Sequence, residues 1–540
     1  MSRVSLLHRT RRAMRRRDSL FHPQHESYKW FVLFNVMIGT FMAVLDSTIV
    51  NVGLPKIMAA FGVGVDKIEW VLTAYMLALA VMLPTSGWLA DKFGYKKMYA
   101  IGLALFTFGS FLCGISGDED MLIISRVIQG FGAGTIMPIG MAIVVREFPP
   151  NKRGLALGFW SVAAAASVSF GPLIGGYLVD NFSWQLIFDV NLPVGILGII
   201  VTIIIQKEYL NKNIRKFDYI GFLSVSIFLP FLLYALTEGN AATNSAGWHA
   251  PYIIICFAIS AVALAVFITA EFIVEQPLID LRLFANYNFS LSNFIMFIFG
   301  MGMFGSTFLL PLYLQNSLGY TAIQSGAVFL PVGILQGLLS PMVGIFGDRA
   351  NPKIAIIAGI LILSTSFYLN SLLSFYTEHQ TIMFALYLRG IGMGILFTPL
   401  STIALLEIKP EKMAQASGLF NVIRQVGGSF GVALLATLFT IRVNYHSEMY
   451  GSAVEARSQI FTNISNNMVY NAEKTAGSSP SNAYKQSQAL ILSHINREAY
   501  IKGIDDDFLI AAFITLIGVG PVLLLHTKKK EKIQRIENYE

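Results

Sequence analysis

Two charged residues stand where charge is expensive. Asp46 lies in the run "FMAVLDSTIVNVGLP", inside an apolar stretch that begins near Trp30. Arg126 lies in "RVIQGFGAGTIMP", several residues into another apolar stretch. Such a charge must face a polar cavity or a partner, because neither lipid nor apolar protein solvates it. The chemistry open to an acid in such a site is binding and releasing a proton, with its proton affinity set by the balance between desolvation and any nearby guanidinium. At the rise of an α-helix, Asp46 lies about 24 Å along from Trp30. That depth is similar to that of Arg126, so the two side chains are within reach if their helices face each other. Arg126, Gln129 and Ala133 share one helix face by their i, i+3, i+7 spacing.

The elements that hold these residues are membrane spans. Of the 540 residues, 54% are hydrophobic and only 13% charged, about half the charged share of a soluble globular chain. Forty-six Gly and 41 Phe suit helices packed closely in lipid. The net charge of +7 is spread in short clusters between apolar runs, without the basic stripe that nucleic acid requires. Cys113 and Cys256 lie in apolar segments and imply neither a disulfide framework nor a metal site. No H-E-x-x-H, P-loop or nucleophile elbow occurs, so an enzyme is not expected. The glycines after Arg126 follow no strand and lack the G-x-G-x-x-G spacing, so they read as packing residues.

A span needs roughly 20 apolar residues. Fourteen are predicted, near 30–53, 69–90, 98–116, 121–145, 154–179, 184–206, 218–238, 250–272, 289–314, 324–346, 353–375, 380–406, 413–440 and 508–526. The loops on one side read "DKFGYKK", "REFPPNKR", "QKEYLNKNIRK", "DRANPK" and "EIKPEK", all rich in Lys or Arg. Those on the other side read "SGDED", "DNFS", "TEGNAATNSAG" and "QNSLGYT", with neither. Lys56 and Lys67 break the pattern. This bias places both termini in the cytoplasm, and "RRAMRRRDSLFHPQ" reads as a basic flank that sets orientation. The long polar segment 441–507 is expected as an extracytoplasmic loop, with helical periodicity in parts.

The chain repeats itself. "PTSGWLADKFGYKK" parallels "PMVGIFGDRANPK" at a constant offset of 257, so that Pro84 meets Pro341 and Asp91 meets Asp348. "GFWSVAAAASVSFG" at 158–171 parallels "GLFNVIRQVGGSFG" at 418–431, and Arg126 has an expected counterpart in Arg389. The expected fold is therefore an all-α membrane protein of two six-helix bundles, related by a parallel repeat, with two extra helices between them. Such repeats build transporters that rock around a central site. The expected division is a basic tail 1–29, a bundle 30–206, a linker 207–288 with the extra helices, a bundle 289–526 and a tail 527–540.

With these residues in view, the chain resembles the major facilitator superfamily, in its fourteen-span drug:proton antiporter branch (EmrB/QacA type), over about residues 30–526. "GWLADKFGYKK" resembles the superfamily's gating-loop signature and carries Gly87, Asp91, Lys92 and Gly94, repeated as Asp348 and Arg349. A solvated loop obeying the charge rule would look similar. "SFGPLIGGYL" resembles the antiporter signature, with Gly171, Pro172, Gly175 and Gly176, and Ser167 where a glycine is usual. Gly171 and Gly175 suit a small-x-x-x-small seam, and Pro172 a kink. "LDSTIVNVGLP" resembles the branch's first-span signature, with Gly53 where Ala is usual. In "WQLIFDVNLPVG", Asp189 replaces an apolar residue, either as local variation or as a second acid.

The resemblance implies a proton-coupled antiporter of the cytoplasmic (inner) membrane, exporting lipophilic drugs or toxic compounds by alternating access, with Arg126 linked to proton transfer. No cofactor beyond the proton gradient and no metal is implied. Some relatives use a periplasmic adaptor and an outer-membrane channel. Another solute, such as a siderophore, fatty acid or metal chelate, would use the same fold. Asp46 is then open to three roles: loosening a cationic drug on protonation, changing the Arg126 pairing, or holding helices together. Asn421, Arg424, Gln425 and Gly428 form a polar stripe on one helix face, read as cavity wall or as an interhelical seam. Tyr75, Gln129, Trp160, Phe297 and Met301 are expected on the same wall, where bulky lipophiles bind apolar and aromatic groups.

Overall fold

The computed structural model describes residues 25–526, except 64, 211–216, 240–243, 245, 275–276, 278–279, 348–350, 410–411, 454–458 and 477–478. Asp348 and Arg349 of the repeated loop, and most of both predicted tails, therefore lie outside the described residues. Those residues form helices α1 (Tyr28–Phe61), α2 (Val65–Phe93), α3 (Tyr95–Gly114), α4 (Glu119–Glu147), α5 (Arg153–Asn181) and α6 (Asn191–Ile205). Next come α7 (Tyr219–Glu238), α8 (Pro251–Ile273), α9 (Tyr287–Asn316), α10 (Leu330–Gly347), α11 (Pro352–Leu369) and α12 (His379–Leu406). Then come α13 (Met413–Ala453), α14 (Gln459–Ala476) and α15 (Pro480–Ile517), followed by the short helix Val519–Leu524.

Thirteen helices among the described residues are long and apolar enough to cross a membrane. They correspond one to one with thirteen of the predicted spans. The remaining prediction, 154–179, is α5, a 29-residue helix packed along α1 and α10.

Local chemistry sets the ends of α4. Asp118 caps it by accepting from the Met121 amide at 2.8 Å. Glu119 and Asp120 occupy its first turn and Arg146 its last, which complements the helix dipole. Within its crossing window 83% of positions are buried, against 33% for α6 and for α8. α4 is thus a central helix, while α6 and α8 lie at the rim. The inserted pair α7–α8 packs on itself and leans on α2 and α13 through α7.

Glycines reproduce the repeat in three dimensions. A Cβ on Gly132 would stand 2.7 Å from Phe106 Cα, and one on Gly392 would stand 2.9 Å from the Leu363 amide nitrogen. These are the α3–α4 and α11–α12 crossings, where only a missing side chain lets the backbones meet. Gly130, Gly132 and Gly134 recur as Gly390, Gly392 and Gly394, an offset of 260. That register corrects the expected equivalence of Arg126 and Arg389: Arg389 stands in the place of Gln129. The partners agree, because Gln129 bonds Asp46 and Arg389 bonds Ser306, again 260 residues on.

The two halves meet by the same symmetry at the end that carries the basic loops. A Cβ on Gly158 of α5 would lie 2.7 Å from Pro341 Cα of α10, and one on Gly418 of α13 would lie 3.0 Å from the Leu83 carbonyl of α2. Ser417 Oγ donates to the Pro138 carbonyl at 3.0 Å. At the opposite end Gly176 abuts Ile323.

The segment 441–507 is not an open loop. α13 continues to Ala453, α14 follows, and α15 begins at Pro480 and runs into the last predicted span as far as Ile517, where a short helix, Val519–Leu524, takes over. Polar composition lowered the hydropathy there without ending the helices. The extensions of α13 and α15 pack on each other, through Phe439 against Tyr500 at 5.0 Å and His446 against Asp506 at 2.9 Å.

Candidate functional site

Asp46 on α1 and Arg126 on α4 form an ion pair, both side chains fully buried. Arg126 Nη1 donates to Asp46 Oδ2 and, at 2.6 Å, to Gln129 Oε1. Its Nε donates to the Val71 carbonyl at 3.1 Å, and its guanidinium lies 4.1 Å from the centre of the Tyr75 ring. Asp46 Oδ1 accepts from Gln129 Nε2 at 2.7 Å and from Asn191 Nδ2 at 3.1 Å. Ser110 Oγ accepts from both of these amides, each at 3.1 Å. Five helices (α1, α2, α3, α4 and α6) thus contribute to one buried network. Each partner is needed, since a buried charge left unsatisfied is costly.

A cavity of about 390 Å³ lies between the halves. Arg126 and Tyr75 line it, with Ser47 and Thr48 beside Asp46, but Asp46 itself does not. The carboxylate points away from the cavity, into the first half. Trp160 lines it too, donates to Thr40 Oγ1 at 2.9 Å, and stacks on Phe397 of the second half at 6.3 Å. Asn421, Arg424 and Gln425 line the opposite wall, as the cavity reading of that stripe requires. Arg389 lines it as well, held by the Met303 carbonyl at 2.9 Å and by the hydroxyls of Ser306 and Thr307.

Three expected wall residues are elsewhere. Gln129 is fully buried and committed to Asp46, Arg126 and Ser110. Phe297 packs on α13, its ring 5.9 Å from Phe430, and Met301 abuts Gly431 on the same seam. On α9 the cavity instead meets Phe299, Met303, Phe304 and Thr307. A helix turns about 100° per residue, so a register error of two residues moves a side chain from cavity to seam.

Gly171 and Gly175 do form a seam, between α5 and α1. A Cβ on Gly171 would stand 3.0 Å from Thr48 Cβ, and one on Gly175 would stand 2.7 Å from Ile49 Cγ1. Ser167 Oγ donates to the Phe41 carbonyl at 2.8 Å. The predicted antiporter motif therefore packs on α1 at Thr48 and Ile49, within one turn of Asp46. Gly176 faces Ile323 of the second half. Pro172 lies within α5, its side chain outside the described residues. Asp189 is half-buried at the end of a short turn, Leu186–Asp189. Its Cγ lies 3.1 Å from where a Gly114 Cβ would stand, away from the cavity.

The loop after α2 is built rather than merely solvated. Gly87 and Asp91 are buried, and Asp91 Oδ1 accepts from Tyr95 Oη at 3.0 Å. Lys92 lies 4.5 Å over the Trp88 ring. Gly94 has φ +100°, a conformation that a side chain strains. The Glu208 carboxylate beside it caps α3, accepting from the Lys96 and Lys97 amides at 3.0 and 3.1 Å. Nearby, Tyr209 donates to Glu147 at 2.9 Å. Burial first, then the Glu147 carboxylate, pushes the Tyr209 hydroxyl above its ordinary pKa, so it remains a neutral donor.

Asn191 and Ser110 were missed by the sequence reading. Asn191 stands two residues from Asp189 in "WQLIFDVNLPVG". An amide after a charged residue in an apolar run was a signal, though a weaker one than a charge.

Two helical bundles with matching crossings, closed around a central cavity and an intramembrane ion pair, define a multi-pass membrane transporter. Residues 36–432 match the Major Facilitator Superfamily, and the chain belongs to that family. It is 30% identical over 492 residues to the multidrug export protein EmrB of Escherichia coli K12, covering 90% of this chain and 93% of that one. It is 31% identical over 497 residues to the fatty acid resistance protein FarB of Neisseria gonorrhoeae, covering 91% and 95%. The human organic anion transporter MFSD10 shares the fold, with a TM-score of 0.58 over 92% of this chain and 99% of that chain at 13% identity.

Proposed function

We propose that this protein is a proton-coupled antiporter that exports lipophilic compounds across the cytoplasmic membrane by alternating access. The observation that carries the reading is the Asp46–Arg126 pair, buried behind a cavity that both halves line. A proton on Asp46 would release Arg126 from its counter-charge. Arg126 also holds the Val71 carbonyl of α2 and faces the cavity, so its release is felt by bound substrate and by helix position together. The near full-length likeness to multidrug export proteins supports export as the direction. The basic loops support cytoplasmic termini. The helical projection of α13–α15 is then extracytoplasmic, where a periplasmic adaptor would meet it.

A second reading, export of a fatty acid or similar solute, draws on the likeness to FarB and uses the same machinery. Everted vesicles carrying the protein test the proposal. Addition of a protonophore should stop substrate accumulation, and Asp46→Asn should abolish it with expression unchanged. Uncoupler-insensitive accumulation would remove the proton from the mechanism.

A further inference from the structure

The central cavity is lined by three arginines, Arg126, Arg389 and Arg424, and among the described residues by no Asp or Glu. Only Arg126 has a carboxylate partner, and that partner sits behind the wall. Arg389, 1% exposed, is held by hydroxyls and a carbonyl alone. Arg424 donates to Asn421 Oδ1 at 3.2 Å. Each of the three keeps one guanidinium nitrogen without a protein acceptor: Nη2 of Arg126, Nη1 of Arg389 and Nε of Arg424. Two uncompensated positive charges therefore border an enclosure whose other walls are largely apolar, including Trp160, Phe299, Phe329 and Phe397, with neutral polar groups between them.

A lipophilic cation entering this space would meet like charge and no carboxylate. A lipophilic anion would supply the missing counter-charge. A guanidinium presents planar N–H donors that match a carboxylate or sulfonate, and charge-assisted bonds of this kind are the strong ones. Apolar walls with a few fixed polar groups are the usual design of such sites. The asymmetry between halves has the same sense. By the offset of 260, Arg424 and Gln425 replace Ala164 and Ala165, and Arg389 replaces Gln129.

The geometry points to organic anions, a hydrophobic body bearing one carboxylate, sulfonate or comparable negative group, as the substrate class of this cavity, with Arg389 and Arg424 as the anion-binding residues. This rests on the export reading above for the cavity being the transport site.

The test compares binding of 2-naphthalenesulfonate and trimethyl(2-naphthyl)ammonium, alike in hydrophobic body and opposite in charge. The full chain is placed in lipid nanodiscs, with empty nanodiscs subtracted and no proton gradient. Wild type should hold the sulfonate about tenfold or more tightly than the ammonium. Arg389→Gln with Arg424→Gln should erase that preference, and Arg389→Lys with Arg424→Lys should retain part of it. The wild-type comparison decides the sign without relying on the variants folding. Equal or tighter ammonium binding would overturn the anion assignment and leave the export reading standing. Binding of neither ion by folded protein would overturn both.

Discussion

Asp46 touches Arg126 but not the cavity that Arg126 lines. The acid is one side chain removed from the cavity, and among the described residues Arg126 is the side chain that both bonds Asp46 and lines the cavity. Under the proposed mechanism, this arrangement would separate proton binding from substrate binding in space while coupling them through one side chain. It argues against Asp46 as a direct partner for a cationic drug.

Asp46→Asn should therefore uncouple transport without emptying the site. Efflux driven by a proton gradient is expected to fall by about tenfold or more, while equilibrium binding of substrate shifts far less. Asn keeps the shape and can still accept from Gln129 and Asn191. Transport in proteoliposomes beside binding in nanodiscs checks this. An equal loss in both would put Asp46 in the substrate site after all.

The ion pair also carries stability. Removing one partner of a buried pair costs about 3–5 kcal/mol, because the other is left uncompensated. Asp46→Leu alone, which strands Arg126, should lower the melting temperature more than Asp46→Leu with Arg126→Met. Thermal unfolding in detergent, run as a double-mutant cycle, reads the coupling directly. Additive effects would show that the pair contributes nothing.

The charged residues were the legible part of this site, for a physical reason. A charge inside an apolar run has few uses, so Asp46 and Arg126 announce themselves, and their similar depth follows from helix rise. Ser110 and Asn191 complete the network but are neutral, and such residues also occur in spans merely to bond their own backbone, as Thr107 does to Leu103. Gln129 shares the face of Arg126, as its spacing requires. Spacing cannot say that its amide is consumed by Asp46. The spans were legible because hydropathy tracks lipid contact. The helical extensions at 441–507 were legible only in part, through their periodicity, because a helix continues wherever nothing breaks it, whether or not lipid surrounds it. The alignment of Arg126 with Arg389 matched residue type, whereas the glycine crossings, which fix backbone register, show the match to be with Gln129.

The α1–α5 seam should be intolerant of bulk. Gly171→Val would drive a branched side chain into Thr48, two residues from Asp46, and Gly175→Val would meet Ile49. Overpacking of this kind costs about 1–3 kcal/mol and displaces α1. Both variants are expected to lose transport with only a modest drop in melting temperature. Gly62→Ala, at a positive φ but with nothing within 4 Å, should cost about 1–2 kcal/mol and leave transport nearly intact. Export activity normalised to folded protein distinguishes the seam from a general loss of stability.

Closure at the basic end depends on Gly158 and Gly418, where backbones of opposite halves meet. Gly158→Leu would place a branched side chain where Ser340 and Pro341 now stand, so that end could no longer close. The expected result is a protein biased toward opening there, with efflux lost although the Asp46–Arg126 network is untouched. Gln336 lines the cavity and is 7% exposed, so Gln336→Cys reports access. The two native cysteines are buried and should add little background. In inside-out vesicles a membrane-impermeant maleimide should label Gln336→Cys slowly in the parent and several times faster when Gly158→Leu is added. Labelling that is unchanged would mean the crossing at Gly158 does not gate the cavity, and that closure at this end lies elsewhere.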